Sequence, residues 1–322
     1  MDWVLHIGTQ KTGSKAIQKF LSNLSSSILE HKICFPISGR EGIWHQPIYH
    51  ELLVGEAKKL KMAVREGTES SAEIGVLSYE GMYLLSPLHI EILFHILGPA
   101  KVVLFVRRQD QLVNSMYNQL IKAHRVNFER IKNFESRIES YNLNFDYMSI
   151  VERWGEVFGF DHIIPIIYNK NTSSIEKFLF SIGINDIAID NGQHGENPNP
   201  ALNFEGLKIL KIIKQLNNND DDLPHLVSVA HRVLQDSFVD TYSEGDQYLL
   251  SMSQRRAILG CYHNSNAMLL AKCFPHQDEL FPALEADQVY ELDQIDPTDS
   301  FVDMNIVRMI YHEAKMPIPK SD

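Results

Sequence analysis

The chain has 322 residues, of which 44% are hydrophobic and 22% are charged, as in an ordinary folded globular protein. Its 41 acidic residues outnumber its 30 lysines and arginines, and the net charge of −11 argues against a general nucleic-acid or anionic-membrane surface. Three cysteines are too few for a disulfide framework and indicate a reducing compartment. The sequence shows neither a signal-peptide pattern at its start nor a run of 18 apolar residues that could span a bilayer. We therefore expect a cytoplasmic protein without an integral membrane segment.

Short apolar runs alternate with helical patterns through the first half of the chain. The predicted strands are 3–7, 74–78, 101–106 and 163–168, and the predicted helices are 14–22, 87–97 and 110–124. This alternation predicts an α/β fold, with a parallel sheet and helices on both of its faces. Beyond about residue 197 the pattern is mainly helical. Because no low-complexity linker is present, we predict one domain over 1–322, with an α/β core at 1–192 and a helical extension at 193–322.

The loop after the first predicted strand reads Gly8-Thr9-Gln10-Lys11-Thr12-Gly13-Ser14-Lys15 and leads directly into a helix. Its glycines permit a close approach of the backbone to a ligand, and the N–H groups at a helix start bind anions. In a Walker A loop a lysine follows the second glycine, whereas here Lys11 precedes it. The sequence therefore predicts a phosphate-binding loop of a different kind.

A second candidate phosphate site follows the strand at 101–106. Arg107 comes directly after this strand, and Ser115 lies eight residues later in the following helix. An arginine offers a forked pair of donors and a serine offers a hydroxyl, a combination that suits a phosphate group. The alternative is that Arg107 and Arg108 pair with a nearby acid such as Asp110.

The two motifs together resemble the sulfotransferases that use 3′-phosphoadenosine 5′-phosphosulfate (PAPS). That family has a lysine inside the 5′-phosphosulfate loop, and an arginine and a serine eight residues apart at the 3′-phosphate. The segments Leu77-Ser78-Tyr79-Glu80 and Arg107-Arg108-Gln109-Asp110 are similar to motifs of its bacterial branch. The resemblance implies a P-loop-like fold and transfer of a sulfuryl group from PAPS to an acceptor hydroxyl, which leaves 3′-phosphoadenosine 5′-phosphate (PAP).

The resemblance also assigns site residues. The 5′-phosphosulfate would be bound by Lys11, Thr12, Gly13, Ser14 and Lys15, and the 3′-phosphate by Arg107 and Ser115. Lys15 stands where the family usually has a small hydroxyl residue, so its contact with the phosphate is open. Lys11 would also stabilise the charge on the transferred group, and no metal is required.

The acceptor hydroxyl needs a general base, for which histidine and glutamate are the common choices. Glu80 is the first candidate because it lies just past the strand at 74–78, and His45 is the second. By analogy with the bacterial branch, the expected acceptor is a carbohydrate or a glycolipid-like hydroxyl. The sequence does not indicate an oligomeric state.

Two other functions remain open at this point. One is a nucleotide kinase with a deviant phosphate loop, which would need magnesium and a carboxylate to hold it. The other is a catalytically degenerate module that binds a nucleotide or glycan without turnover. Lys15 in the phosphate loop keeps this last possibility open.

Overall fold

The computed structural model describes residues 1–24, 32–140, 143–185, 202–217, 221–237, 249–284 and 304–317. The chain divides into two compact units. The first unit comprises Met1–Arg107, Asp146–Ile189 and His263–Phe281, and the second comprises Arg108–Phe145, Asp190–Tyr262 and Pro282–Asp322. The expectation of one domain with a boundary at 192 stays a prediction.

A parallel sheet lies at the centre of the first unit. Its strands are β1 (Asp2–Gly8), β2 (Ile33–Cys34), β3 (Ile74–Ser78), β4 (Ala100–Val106) and β5 (Ile163–Ile167). They are hydrogen-bonded in the order β2-β3-β1-β4-β5, and every pairing is parallel. In the central register Leu5 lies opposite Leu77 on one side and Val102 on the other. The loops after β3, β1 and β4 therefore leave the same edge of the sheet.

The helices are numbered along the chain. Their bounds are α1 (Ser14–Ser22), α2 (Gln46–Leu53), α3 (Lys58–Glu69), α4 (Pro87–Leu97), α5 (Gln109–Lys122), α6 (Phe128–Glu139), α7 (Tyr147–Phe158), α8 (Ser174–Ser181), α9 (Phe204–Leu216), α10 (Leu223–Ser237), α11 (Met252–Cys261), α12 (His263–Cys273) and α13 (Met304–Glu313). Among the described residues, none of these helices combines the length and apolarity needed to cross a membrane.

Both faces of the sheet are covered by helices of the first unit. On one face, Val4, Val76 and Phe105 pack with Ile17 of α1 and Phe178 of α8. On the other face, α7 contacts β4 and β5, and α3 contacts β3. Since successive residues of a strand point to opposite faces, strands covered in this way are expected to be largely apolar on both faces. The predicted α/β class is confirmed.

The sequence located most elements of the sheet. The predicted strands agree with β1, β3, β4 and β5 to within one residue at each end. Ser86 is the N-cap of α4 and Pro87 its first residue, as the dipeptide predicted. The helix predicted at 110–124 is α5, which ends two residues earlier. Strand β2 was not predicted, because two residues are too few to show a periodicity.

The second unit is helical in its described residues and contains α5, α6, α9, α10, α11 and α13. Asp110 at the start of α5 is fully buried and pairs with two arginines. Its Oδ1 lies 2.7 Å from Nε of Arg108, and its Oδ2 lies 2.9 Å from Nε of Arg255. The pairing with Asp110 considered for Arg107 and Arg108 is thus found for Arg108.

Candidate functional site

The loop between β1 and α1 touches the loop that follows β3. Gly8, the last residue of β1, has a φ of +112°, which favours glycine. A Cβ at this position would lie 2.6 Å from the backbone oxygen of Glu80, so a larger residue has no room. The first candidate base is therefore adjacent to the start of the candidate phosphate loop.

Hydrogen bonds within the loop fix its shape. The N–H and the hydroxyl of Thr9 both donate to the carbonyl of Phe105 in β4, each at 3.1 Å. The carbonyl of Thr9 accepts from the hydroxyls of Thr12 at 2.5 Å and Ser14 at 3.1 Å. Both hydroxyl groups therefore direct their hydrogens into the loop. In this conformation the loop would contact a ligand through its backbone N–H groups.

The first N–H groups of α1 are the ones that can bind an anion. Backbone bonding in this helix begins with Ala16, whose N–H donates to the carbonyl of Gly13 at 2.9 Å. In the described part of the chain, nothing accepts a hydrogen bond from the N–H of Gly13, Ser14 or Lys15. The positive end of the helix dipole adds to this preference for negative charge. The side chain of Lys15 is exposed on the first turn.

Arg107 joins the end of β4 to the same loop. Its Nη1 donates to the carbonyl of Lys11 at 2.9 Å, and Lys11 itself has a left-handed backbone with φ +63°. The guanidinium carbon lies 5.0 Å from the centre of the Tyr168 ring, a cation–π distance. Nε of Arg107 is buried and has no hydrogen-bond acceptor among the described residues. The arginine thus keeps a donor that the described chain does not satisfy.

Tyr147 holds the backbone of Arg107. Its hydroxyl accepts from the N–H of Arg107 at 3.1 Å and donates to the carbonyl of the same residue at 2.6 Å. The ring is fully buried, and burial raises the pKa of the hydroxyl well above its usual value. The phenol therefore stays protonated and can serve as donor and acceptor together. Nothing in the sequence marks this tyrosine, which lies 40 residues from its partner.

The start of α8 also packs against the loop. The hydroxyl of Ser174 donates to the carbonyl of Thr12 at 3.0 Å. Gly13 has a φ of +88°, and a Cβ at this position would lie 2.7 Å from Cβ of Ser174. The loop is thus enclosed by elements that follow β1, β4 and β5. Sequence reasoning did not identify Ser174, whose neighbour Ser173 is the N-cap of α8.

Glu80 is half-buried beside the loop. Its Oε2 accepts a hydrogen bond from Nε2 of Gln18 in α1 at 3.0 Å. The ring of Tyr79, the residue before Glu80, lies 5.2 Å from the ring of Tyr49. Gln18 was not predicted as a site residue, although its position one turn into α1 faces the end of β3.

His45, the second candidate base, lies in the interior. It is fully buried, its Nε2 lies 3.1 Å from the carbonyl of Pro36, and its Nδ1 accepts from the N–H of Ser78 at 3.2 Å. Burial lowers its pKa to about 3. Because both ring nitrogens are engaged within the core, the geometry gives His45 a structural part and leaves Glu80 as the carboxylate beside the loop.

Ser115 is half-buried on α5, which belongs to the second unit. Its partnership with Arg107 therefore stays a prediction from their spacing. Of the other predicted site residues, the first unit brings together the loop with Lys11, Arg107 and Glu80, whereas His45 lies in the interior.

No protein-family model matches this chain, and no curated protein matches it significantly. Among solved structures, the chain is similar to the crystal structure of a sulfotransferase from Alicyclobacillus acidocaldarius, with 16% sequence identity and a TM-score of 0.41. The similarity covers 86% of this chain and 97% of that chain. A likeness at this level does not identify an activity, so the functional question rests on the residues of the chain itself.

The contact between Gly13 and Ser174 predicts a large effect of Gly13→Ala. A positive φ costs alanine about 1–2 kcal/mol, and the overlap with Ser174 should add about 1–3 kcal/mol. Gly183→Ala is the matched control, since Gly183 has a φ of +91° and a Cβ added there would have no atom within 4 Å. Urea denaturation should show the greater loss of stability for Gly13→Ala, and equal losses would contradict the contact.

The two buried histidines of the first unit predict a pH-dependent stability. Burial lowers the pKa of both His6 and His45 to about 3, whereas the unfolded chain takes up these protons near pH 6.5. Stability should therefore be complete above pH 6.5 and fall towards pH 3, by about 1.4 kcal/mol per pH unit for each histidine. His45→Gln can make both hydrogen bonds without titrating. Urea denaturation from pH 7 to pH 4 should give this variant a shallower slope, and a slope equal to wild type would refute the assignment.

Proposed function

We propose that this protein is a sulfotransferase that transfers the sulfuryl group of PAPS to an acceptor hydroxyl. The observation that carries the proposal is the hydrogen bond from Nη1 of Arg107 to the carbonyl of Lys11. It joins the two motifs on which the resemblance to PAPS-dependent sulfotransferases rests. These motifs lie 96 residues apart in the sequence, and they meet because they follow neighbouring parallel strands.

The donor set suits a nucleotide with two anionic ends. The N–H groups at the start of α1 and the Lys11 side chain would bind the 5′-phosphosulfate. Arg107 would bind the 3′-phosphate, for which its unsatisfied buried Nε is a suitable donor. Of the five N–H groups of a guanidinium, the contact with Lys11 uses one. Thr12 and Ser14 would shape the loop through Thr9, and Ser115 is retained as a second group for the 3′-phosphate.

The reaction would be an in-line displacement at sulfur. The acceptor oxygen forms a bond to sulfur while the bond between sulfur and the 5′-phosphate oxygen breaks, and PAP leaves. The proton of the acceptor hydroxyl passes to the carboxylate of Glu80, which acts as the general base. Lys11 stabilises the negative charge that develops on the departing phosphate oxygen. The side chains thus supply position and charge, and no covalent intermediate is needed.

The acceptor is proposed to be a carbohydrate or a glycolipid-like hydroxyl. Tyr79 precedes Glu80 in the chain, and its ring centre lies 5.2 Å from that of Tyr49, with both rings half-buried. Such rings can pack against the apolar face of a sugar while a hydroxyl of that sugar approaches the carboxylate. This supports the sugar class and not a particular sugar.

The donor site is tested by calorimetric titration with PAP, beside ADP with magnesium. We expect tight PAP binding that does not depend on magnesium, and weaker binding of ADP. Arg107→Ala should raise the Kd for PAP by about 10–100-fold, since a hydrogen bond to a charged group contributes about 1.5–3 kcal/mol. Arg130→Ala, which removes the same charge from an exposed site on α6, should leave the Kd near that of wild type.

Two outcomes would redirect the assignment. A preference for ADP with magnesium would favour a nucleotide kinase. Normal PAP binding without transfer to any sugar acceptor would favour a module that binds without turnover. An unchanged Kd for Arg107→Ala would remove Arg107 from the donor site.

Lys11→Ala should separate transfer from binding. We expect turnover with PAPS and a sugar acceptor to fall by about 100-fold or more, because the charge of Lys11 is needed chiefly in the transition state. The Kd for PAP should rise much less. Lys19→Ala removes an exposed lysine at the other end of α1 and should keep the turnover of wild type. Full turnover by Lys11→Ala would exclude this role for Lys11.

A further inference from the structure

A chain of buried hydrogen bonds leads from the core of the first unit to the carboxylate of Glu80. Nδ1 of His6 lies 2.7 Å from the hydroxyl of Ser78, and this hydroxyl lies 3.2 Å from Nε2 of Gln18. The same Nε2 lies 3.0 Å from Oε2 of Glu80. His6, Ser78 and Gln18 are fully buried, so the chain is out of contact with bulk water until it reaches the half-buried glutamate.

The donor is fixed in the two hydrogen bonds that Gln18 makes. The amide nitrogen of Gln18 can only donate, and its two hydrogens are used on Ser78 and Glu80. The hydroxyl of Ser78 accepts from Gln18 and shares a second hydrogen bond with Nδ1 of His6, in which either group can be the donor. Burial keeps His6 neutral, with a pKa lowered to about 3, so this second hydrogen bond involves no charge. The amide of Gln18 therefore donates in both directions, to Ser78 on one side and to Glu80 on the other.

Packing by itself does not explain why these buried positions hold polar, hydrogen-bonded side chains. Oε1 of Gln18 and Nε2 of His6 are both buried, and neither has a hydrogen-bond partner among the described residues. A buried polar group without a partner is unfavourable, so apolar side chains would serve packing better. Turning the Gln18 amide over would place its oxygen against the carboxylate of Glu80. The observed orientation thus places a donor, and not a second acceptor, against the carboxylate of Glu80.

We propose that Gln18 is a positioning residue that holds Oε2 of Glu80 and thereby leaves Oε1 for the acceptor hydroxyl. This inference rests on the proposed function, in which Glu80 is the general base. Ser78 acts one step further away, because its hydroxyl accepts the second hydrogen of the same amide nitrogen. A base held in one orientation loses less freedom when it takes up the proton, and this raises kcat without strengthening donor binding.

Gln18→Leu tests the inference, because leucine is of similar size and has no donor. We expect kcat to fall by about 10–100-fold, the loss found when the hydrogen-bond partners of metal-ligating side chains are removed. The KM for the acceptor and the Kd for PAP should stay within about twofold of wild type. In the proposed site Gln18 contacts Glu80 and Ser78, and neither the acceptor nor PAP binds to it directly. Gln119→Leu, the same change at an exposed position on α5, should have the kcat of wild type.

A double-variant comparison distinguishes positioning from a general structural effect. If Gln18 acts through Glu80, Gln18→Leu should lower kcat in wild type and have little further effect in the Glu80→Gln background. The inference would be overturned if Gln18→Leu lowered kcat equally in both backgrounds. It would also be overturned if Gln18→Leu had the kcat of wild type. Either result would leave the sulfotransferase proposal standing. A wild-type protein that binds PAP but transfers no sulfuryl group would overturn both.

A folding control completes the experiment. Each variant is first titrated with PAP, which reports on an intact phosphate loop independently of turnover. If Gln18→Leu does not fold, Gln18→Met preserves the length of the side chain without its donor and should show the same fall in kcat. A Gln18→Met variant with normal PAP binding and normal kcat would likewise overturn the inference.

Discussion

The hydrogen bond from Arg107 to the carbonyl of Lys11 is the contact on which the candidate site depends. It links the end of β4 to the loop that follows β1, two neighbours in the parallel sheet. Tyr147 fixes the backbone of Arg107, and Thr9 ties the loop to Phe105 in β4. These bonds tie the loop to the end of β4 and to α7, and so fix the backbone of Arg107 and the position of the loop beside it.

The end of β3 is fixed in a comparable way. The N–H of Ser78 donates to Nδ1 of His45, its carbonyl accepts from the N–H of His45 at 2.9 Å, and its hydroxyl bonds to His6. Two residues later Glu80 leaves the strand with its backbone against Gly8. Burial keeps both histidines neutral, so the interior carries their hydrogen bonds without the cost of a buried charge. The hydrogen bonds of Ser78 therefore fix the strand end from which Glu80 leaves, beside the candidate phosphate loop.

Local patterns in the sequence predicted much of this arrangement. Apolar runs and helical periodicity located β1, β3, β4 and β5 to within a residue, because buried parallel strands must be apolar on both faces. The position of Lys11 between two glycines and of Arg107 after a strand identified the candidate loop and its neighbour. Parallel strands end at a common edge, so the sequence also predicted that Glu80 would lie near that loop.

The partners of these residues were decided by the tertiary structure alone. Tyr147, Ser174 and Gln18 contact Arg107, Thr12 and Glu80 across 40, 162 and 62 residues of sequence, and no local pattern encodes such separations. His45 is a second example. Its polar segment suggested a general base, whereas the structure buries it and engages both ring nitrogens in hydrogen bonds within the core, which gives it a structural part. The sequence determined which strands form and which side chains leave their ends, because those choices depend on neighbours along the chain. The packing of distant helices against the sheet decided which of those side chains bond to each other and which line the proposed ligand site.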